Sequence, residues 1–515
     1  MKARDVLPER FNVATWFVDR NVAEGRGARP AITVEGRTLT YADVLDLVNR
    51  TGNAFRELGV EPEQRVLLVC LDRTEFVGAF WGAIKIGAIP VPVNTLLRAD
   101  DYRLLLEDSR ARVAVVSAPL LAEAGPALDG ASHLRHALVA GGPAGRHLSF
   151  EERVGRAPAS LEAVATHRDE PAFWLYSSGS TGAPKGAVHL HHDMVVCAET
   201  YARQVLGFGP GDSVYSAAKL FFAYGLGNAG YFPMAVGARS ILYPGRPTPE
   251  AVFELLQRER PTLFFGVPTL YAAMLAQKDA ERRYDLSSLR LCVSAGEALP
   301  EELYRRWQER FGVEILDGIG TTEVLHIFLS NRPGAARPGA TGTPVPGYEA
   351  ALVDDDGHPV APGEIGNLRV RGDSTMAYYW TRHEKTQEAL VGSWIQTGDK
   401  YRQDADGYFW YAGRADDMLK VGGIWVSPVE VEAALVAHPA VLEAAVVGRE
   451  DADRLVKPAA TVVLKDPAAA SPALAEDLQA FVKARLAPYK FPRWITFAPD
   501  LPKTATGKIQ RFKLR

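Results

Sequence analysis

The sequence predicts an α/β protein with a large N-terminal domain, which includes a β-rich subdomain, and a small α+β C-terminal domain. From about residue 60 to 320, short apolar runs alternate with amphipathic segments, which is typical of parallel strands whose sheets are covered by helices on both faces. The segment from Asn331 to Gly347 is rich in Pro and Gly and predicts a long loop before a β-rich region that ends near Tyr411. After Arg414, short strands alternate with helices over about 100 residues, enough for a separate domain.

Each predicted strand of the large domain is a continuous apolar run. These runs are Arg65–Leu71, Ala114–Val116, Phe173–Leu175, Thr262–Phe265 and Leu289–Val293. One predicted helix shows both of its ends, because Pro300 stands near the start of Glu301–Arg310 and Gly312 follows it.

The C-terminal region predicts strands at residues 444–447 and 460–463. Helices are expected near residues 428–438 and 474–486. We therefore divide the chain into residues 1–413 and 414–515.

Composition excludes several classes of partner. The 515 residues carry a net charge of −4, so no basic excess indicates nucleic acid or an anionic membrane surface as a partner. The three cysteines are widely spaced, which argues against a disulfide framework or a zinc site. The N-terminus is charged and no run approaches the roughly 18 apolar residues of a membrane span, so we expect a cytoplasmic protein.

The segment Tyr176–Gly186 follows directly on a predicted strand and is dense in Ser, Thr and Gly, with one Lys. Such a loop can expose backbone N–H groups, and its side chains add further donors, so it suits a polyphosphate. It is not a Walker loop, because Gly186 and not Ser or Thr follows Lys185. For the loop alone, a flexible Ser/Gly turn is an equally good interpretation.

Four further motifs follow this loop in the chain. They are Asp317–Glu323, Trp394–Asp399, Gly413–Asp417 and Pro502–Lys508. Together, the five motifs resemble the ordered motifs of the adenylate-forming superfamily, which contains acyl-CoA synthetases, luciferases and the adenylation domains of peptide synthetases. The resemblance covers roughly residues 10 to 515 and implies a small C-terminal domain that is mobile.

The resemblance implies ATP, Mg²⁺ and coenzyme A as cofactors. Thr322 would contact the α-phosphate and Glu323 would hold Mg²⁺, both as catalytic residues. Asp399 suits the two ribose hydroxyls, because an ionised carboxylate offers two acceptor oxygens. One departure is Ile319, which stands where relatives have an aromatic residue and would offer adenine an aliphatic face. The ATP-binding residues implied are Ser177, Ser178, Gly179, Ser180, Thr181, Gly182, Lys185, Ala295, Gly296, Glu297, Asp317, Ile319, Thr322, Asp399 and Arg414.

The C-terminal motifs imply two different steps. Lys508 resembles the catalytic lysine of adenylation, which reaches the carboxylate and the α-phosphate from the small domain. Asp416 matches the hinge about which relatives rotate that domain before the thiol attacks. The segment implied to guide coenzyme A contains Lys420, Gly422 and Gly423.

The acyl pocket is expected in two segments, Lys219–Gly227 and Leu325–Phe328, which resemble those of benzoate-CoA ligases. Aromatic residues in these segments could equally well belong to the core. The pocket residues implied are Lys219, Phe222, Ala223, Tyr224, Gly318, His326 and Ile327.

The resulting hypothesis is an AMP-forming, ATP-dependent aryl-CoA synthetase that converts benzoate to benzoyl-CoA. Three alternatives stay open: a ligase for hydroxy- or aminobenzoate, an adenylation domain that loads a carrier protein, and an inactive nucleotide sensor. The expected partners are an aromatic carboxylate, ATP and coenzyme A. A homodimer and a lysine acetyltransferase acting on Lys508 are also considered.

Three histidines, His189, His191 and His192, stand close together in the sequence. No nearby Cys, Asp or Glu completes a ligand set apart from Asp193. We therefore expect solvated histidines or histidines at a helix start, and not a metal site.

Overall fold

The computed structural model describes residues 2–177, 184–415, 417–421, 424–451, 455–487, 489–503 and 509–514. The strands are β1 (Pro30–Val34), β2 (Arg37–Thr40), β3 (Arg65–Val69), β4 (Ile89–Pro92), β5 (Val113–Ser117), β6 (His136–Ala140), β7 (Leu148–Ser149), β8 (Pro171–Ser177), β9 (Lys185–Leu190), β10 (Ser213–Ser216), β11 (Arg239–Leu242), β12 (Leu263–Gly266), β13 (Leu291–Ser294), β14 (Ile315–Gly320), β15 (Ile327–Ser330), β16 (Thr343–Pro344), β17 (Glu349–Val353), β18 (Ile365–Arg371), β19 (Tyr378–Tyr379), β20 (Leu390–Val391), β21 (Trp394–Gln403), β22 (Phe409–Arg414), β23 (Leu419–Val421), β24 (Ile424–Val426), β25 (Val441–Glu450), β26 (Val456–Leu464) and β27 (Trp494–Phe497).

Most helices lie between strands and cover the sheets. The α-helices are α1 (Arg20–Ala23), α2 (Tyr41–Glu57), α3 (Thr74–Lys85), α4 (Ala99–Ser109), α5 (Leu121–Leu128), α6 (Phe150–Arg156), α7 (Asp193–Cys197), α8 (Ala223–Gly225), α9 (Phe232–Val236), α10 (Pro249–Glu259), α11 (Pro268–Leu275), α12 (Ala280–Arg283), α13 (Glu301–Phe311), α14 (His383–Ala389), α15 (Pro428–Val436) and α16 (Pro472–Lys483). The ends of α13 confirm the sequence prediction, since Pro300 is its N-cap and Gly312 follows in the left-handed conformation.

The largest sheet in the described part of the chain has nine strands in the order β16-β15-β14-β13-β12-β10-β11-β1-β2. Its strands from β14 to β1 run parallel, whereas β15, β16 and β2 are antiparallel edges. A second sheet, β4-β3-β5-β6-β7, is parallel throughout. These two sheets confirm the α/β class and the parallel strands predicted from the apolar runs.

Both faces of each parallel sheet are covered. In β3, Val66 and Leu68 belong to the main core, while Leu67 and Val69 belong to a separate core on the other face. Alternate strand residues point to opposite faces, so a strand buried on both needs a continuous apolar run. The same alternation occurs in β12, where Leu263 lies in the main core and Phe264 in another.

One predicted strand lies in a different kind of sheet. The run Phe173–Leu175 belongs to β8, which pairs antiparallel with β9, and β19 pairs antiparallel with β9 on its other edge. The expectation of a parallel strand is wrong here. Only residues 178–184 connect β8 to β9, and a parallel crossover needs a dozen residues or more.

The remaining sheets are smaller. Strands β17, β18, β20, β21 and β22 form an antiparallel sheet in the predicted β-rich region. In the C-terminal region, β25, β26 and β27 form a sheet that contributes to a core with α15 and α16. The boundary between residues 413 and 414 stays a prediction. Within the described ranges, no helix has the length and apolar character needed to cross a membrane.

Gly342 provides a test of how the β-rich sheet joins the main sheet. Its φ is +112°, and a Cβ there would lie 2.1 Å from the carbonyl carbon of Ser330. We expect Gly342→Ala to lower the free energy of unfolding by about 4 kcal/mol or more, because backbone atoms must move. The matched control is Gly334→Ala. The φ of Gly334 is also positive, but a Cβ there would meet open space. The free energy of unfolding of this variant should fall by only about 1–2 kcal/mol. Equal shifts in urea-unfolding midpoint would contradict the close contact.

Candidate active site

The β8–β9 hairpin carries the predicted phosphate loop. Ser177 ends β8 and lies opposite Lys185, which begins β9, so the antiparallel register places both at the base of the loop. Residues 178–183 lie outside the described residues, and their phosphate contacts stay predictions. The Ser177 hydroxyl is buried and lies near Tyr379. A buried hydroxyl in this position suits a phosphate oxygen as its acceptor.

A tight 3₁₀ turn, Thr322–Val324, follows β14 and carries the predicted catalytic pair Thr322 and Glu323. Thr321 caps the turn, since its Oγ1 accepts a hydrogen bond from the Val324 N–H. The carbonyl oxygens of all three turn residues accept hydrogen bonds from outside the turn.

Each of these carbonyl oxygens has its own donor. The Nε2–H of His189 donates to the Thr322 oxygen at 2.8 Å, and the Met376 N–H donates to the Glu323 oxygen at 2.8 Å. The Ser374 hydroxyl donates to the Val324 oxygen at 2.7 Å. Backbone groups that are bonded at three successive residues have little freedom to move, so the turn is fixed against β9 and the segment before β19.

His189 contacts the predicted catalytic turn, and the sequence prediction did not indicate this contact. It is fully buried, and its Nδ1 lies 2.7 Å from the Asp193 carboxylate while its Nε2 faces the Thr322 carbonyl. The ring is therefore held between the Asp193 carboxylate and the Thr322 carbonyl oxygen. His191 is buried as well, and burial lowers its pKa to about 3. The expectation of solvated histidines is wrong for these two, whereas His192 does stand at the start of α7.

Glu323 contacts a tyrosine that the sequence motifs did not indicate. The Tyr379 hydroxyl donates to Glu323 Oε1 at 2.5 Å. The ammonium nitrogen of Lys185 lies 4.6 Å from the centre of the Tyr379 ring, within the range of a cation–π interaction. Tyr379 thus connects the predicted Mg²⁺ ligand with the predicted phosphate lysine.

Asp317 and Asp399 both influence the pKa of a buried phenol, that of Tyr401. Burial raises the Tyr401 pKa well above its usual range, and the carboxylates of Asp399 and Asp317 raise it further. Asp317 is itself buried, which raises its pKa well above the usual range, and its Oδ1 has no hydrogen-bond partner among the described residues. Such an atom suits an amino group of a ligand, as predicted for adenine.

The predicted ribose contact lies on two paired strands. Asp399 in β21 is opposite Arg414 in β22, and Arg414 Nη1 donates to Asp399 Oδ1 at 3.2 Å. Arg414 also donates to the Thr397 carbonyl oxygen. The guanidinium therefore holds the carboxylate in place, and the ribose contact of both residues stays a prediction.

The segment predicted to border adenine follows directly on β13. Ala295 is buried, Gly296 is exposed with a φ of +93°, and Glu297 is half-buried. Ile319 lies in β14, half-buried against the main core, so its aliphatic side chain is held by packing.

Several residues predicted to line the acyl pocket lie close to one another, and the pocket itself stays a prediction. The rings of Tyr224 and His326 are 5.8 Å apart, and a Cβ on Gly318 would lie 3.0 Å from Ile327. The Tyr224 hydroxyl lies 3.3 Å from each of two acceptors, the carbonyl oxygens of Gly266 and Val293. This phenol is thus turned towards backbone acceptors.

His326 keeps one polar atom without a partner in the described residues. Its Nε2 lies 3.2 Å from Asn228 Oδ1 and 3.3 Å from the Tyr224 carbonyl oxygen, while its Nδ1 is buried and unpaired. Burial lowers the His326 pKa to about 3. The ring is therefore neutral near pH 7, and Nδ1 is an acceptor when Nε2 carries the proton.

The other predicted pocket residues precede or begin α8. Phe222 and Ala223 are half-buried, and the ring of Phe222 packs 4.3 Å from that of Phe221. The ammonium of Lys219 donates to the carbonyl oxygens of Tyr243 and Gly245. Lys219 therefore anchors this segment to the chain after β11.

Several predicted residues lie outside the described residues. These are Asp416, Gly422, Gly423 and Lys508. The backbone of Lys420 lies in β23, which pairs with β24. The roles given to all five in the hinge, the coenzyme A path and adenylation stay predictions.

A family model described as AMP-binding enzyme matches residues 19–380, and one described as AMP-binding enzyme C-terminal domain matches residues 430–508. The chain belongs to the AMP-binding enzyme family. This membership confirms the resemblance to the adenylate-forming superfamily.

Relatives of this AMP-binding enzyme align over nearly its whole length. It is 55% identical to a benzoate–CoA ligase of Thauera aromatica over 99% of this chain and 96% of the relative. It is 49% identical to a 4-hydroxybenzoate–CoA/benzoate–CoA ligase of Rhodopseudomonas palustris, over 98% of this chain and 94% of the relative. Among solved structures, the anthranilate CoA ligase AuaEII in complex with anthranoyl-AMP matches with a TM-score of 0.96 and 47% identity, covering 100% of this chain and 98% of that one.

The lowered pKa of His326 gives a direct test of its environment. The folded-state pKa of about 3 lies below the usual 6.5, so the neutral ring should persist as the pH falls from 8 to 5. In ¹⁵N-histidine NMR spectra, the resonance that disappears in His326→Gln should keep the shift of a neutral imidazole over this range. Titration of that resonance near pH 6.5 would show that the ring is exposed to solvent.

Proposed function

We propose that this chain is an ATP-dependent aryl-CoA synthetase that converts benzoate, ATP and CoA to benzoyl-CoA, AMP and pyrophosphate through an acyl-adenylate. The observation that carries the proposal is that one strand, β14, contains residues predicted for both halves of the site. Asp317 on this strand has a buried, unpaired carboxylate oxygen, and the adjacent Gly318 packs against Ile327 of the expected acyl pocket. The full-length similarity to benzoate–CoA ligases supports the same conclusion.

The first step brings two anions together, the benzoate carboxylate and the α-phosphate of ATP. The protein therefore acts mainly by positioning and by electrostatic stabilisation. Ser177 and Lys185 supply donors at the base of the phosphate loop, and Thr322 lies on a turn held by three external hydrogen bonds.

Mg²⁺ fits this site because carboxylate oxygen is a ligand type that it prefers, and Glu323 offers one. When bound, the ion would neutralise part of the phosphate charge. Lys508 is proposed to stabilise the same step from the C-terminal region.

The second step, in which the CoA thiol attacks the acyl-adenylate, is proposed to follow rotation about Asp416. Lys420, Gly422 and Gly423 are the proposed guides for the pantetheine arm, because glycine lets it pass close to the backbone. A cytoplasmic location, a homodimer and acetylation of Lys508 are further proposals. Acetylation would remove the lysine charge and should therefore stop adenylation.

A ligase for a substituted benzoate is the second candidate. The observation that favours it is the unpaired Nδ1 of His326, a buried acceptor that a ring hydroxyl or amino group could satisfy. The named activities of the Rhodopseudomonas palustris relative and of the anthranilate ligase are consistent with such a substituent being accepted by similar chains.

Lys508→Ala should abolish adenylation but leave the conversion of supplied benzoyl-AMP to benzoyl-CoA largely intact. Only the first step needs a cation between two anions, and loss of one such contact costs roughly 3–4 kcal/mol, or about 10²–10³ in rate. Pyrophosphate exchange and thioester formation are measured separately. Equal losses in the two half-reactions would contradict the role given to this lysine.

Benzoate should be used at least about tenfold more efficiently than 4-hydroxybenzoate, measured as kcat/KM. An unpaired buried hydroxyl costs about 1–3 kcal/mol, and Phe222, Ala223 and Ile327 offer it no partner. The panel should include 2-aminobenzoate and hexanoate. A preference for a substituted benzoate would favour the second candidate, and a preference for hexanoate would refute the aryl-CoA synthetase.

A further inference from the structure

Tyr379 lies between two groups of opposite charge. Its hydroxyl donates to Glu323 Oε1 at 2.5 Å, a short distance typical of a hydrogen bond to a carboxylate. The face of its ring meets the Lys185 ammonium, 4.6 Å from the ring centre. A phenol ring attracts a cation through its face and binds an anion through its hydroxyl, so one side chain serves both charges.

The Tyr379 side chain is buried. The residue is only 4% exposed, so solvent has little access to its hydroxyl.

The backbone around Tyr379 is hydrogen-bonded to β9 of the hairpin. Tyr379 lies opposite Ala187 of β9, and the Trp380 N–H donates to the Gly186 carbonyl oxygen at 2.8 Å. The Tyr379 N–H donates to Thr386 Oγ1 at 3.0 Å. The ring is thus carried by the strand that neighbours the predicted phosphate loop.

The same segment also fixes the turn that carries the carboxylate. The Met376 N–H donates to the Glu323 carbonyl oxygen, so both the backbone and the side chain of Glu323 are bonded to residues near β19. Residues in and near β19 therefore contact both Lys185, which begins β9, and Glu323, which lies in the turn after β14.

We propose that Tyr379 is a positioning residue that keeps Lys185 and Glu323 apart and oriented, one for phosphate and the other for the metal ion. Two opposite charges this close to one side chain would otherwise be able to pair with each other. The ring separates them, and the hydroxyl restrains one carboxylate oxygen. This inference rests on the proposed use of ATP and a divalent cation, and not on the identity of the acid.

The test compares Tyr379→Phe with the matched control Tyr378→Phe. Both changes remove one phenol hydroxyl from β19, but Tyr378 is 37% exposed and does not approach Glu323 in the described contacts. Binding of Mn²⁺ in the presence of ATP is measured by electron paramagnetic resonance, which needs no turnover. We expect Tyr379→Phe to weaken this binding about tenfold, and Tyr378→Phe to change it less than about twofold.

A double-mutant cycle with Glu323→Ala separates positioning from a general structural effect. If Tyr379 acts through Glu323, Tyr379→Phe should change Mn²⁺ binding less than about twofold in the Glu323→Ala background. In the wild-type background, KM for ATP in pyrophosphate exchange should rise, while conversion of supplied benzoyl-AMP to benzoyl-CoA stays unchanged.

Three results would overturn the inference: equal effects of Tyr379→Phe and Tyr378→Phe, an undiminished effect in the Glu323→Ala background, or a parallel loss of both half-reactions and of thermal stability. Wild-type protein that binds Mn²⁺ and ATP but does not activate benzoate would refute the proposed substrate and leave this inference standing. Wild-type protein that binds neither would refute both.

Discussion

The three hydrogen bonds to the carbonyl oxygens of Thr322, Glu323 and Val324 are the constraint on which the candidate site depends. They come from a buried histidine and from the segment before β19, so they join the turn after β14 to the sheet that carries the phosphate loop. A short turn at the end of a strand would otherwise exchange its carbonyl bonds with water. Because these bonds are buried or half-buried, breaking one leaves an unpaired polar group and is costly.

Most charged groups around this fixed turn have a specific partner. Removing carboxylates and ammonium groups partly from water costs free energy unless each group has a partner. Glu323 has a phenol hydroxyl, Lys185 has the face of the same ring, and Asp399 has Arg414. Asp317 differs, since one of its buried oxygens has no partner in the described residues. The arrangement is typical of a site prepared for a ligand that brings its own charges and donors.

Local patterns explain which features the sequence predicted. Continuous apolar runs indicated parallel strands such as β3 and β12, because burial on both faces requires apolar residues at every position. The run at Phe173–Leu175 looked the same, but the short connection to β9 makes it antiparallel. Motif order indicated Asp317, Glu323 and Asp399, since these residues stand in recognisable segments. Tyr379 was missed because it contacts a residue 56 positions away, and no spacing rule links the two.

The proposed function requires that the site activate an aromatic carboxylate as an adenylate before CoA takes part. The most direct measurement is the exchange of labelled pyrophosphate into ATP by wild-type protein, with benzoate and a divalent cation but without CoA. Exchange should require benzoate and should proceed in the absence of CoA. Exchange that is absent, or that appears only when CoA is added, would contradict it.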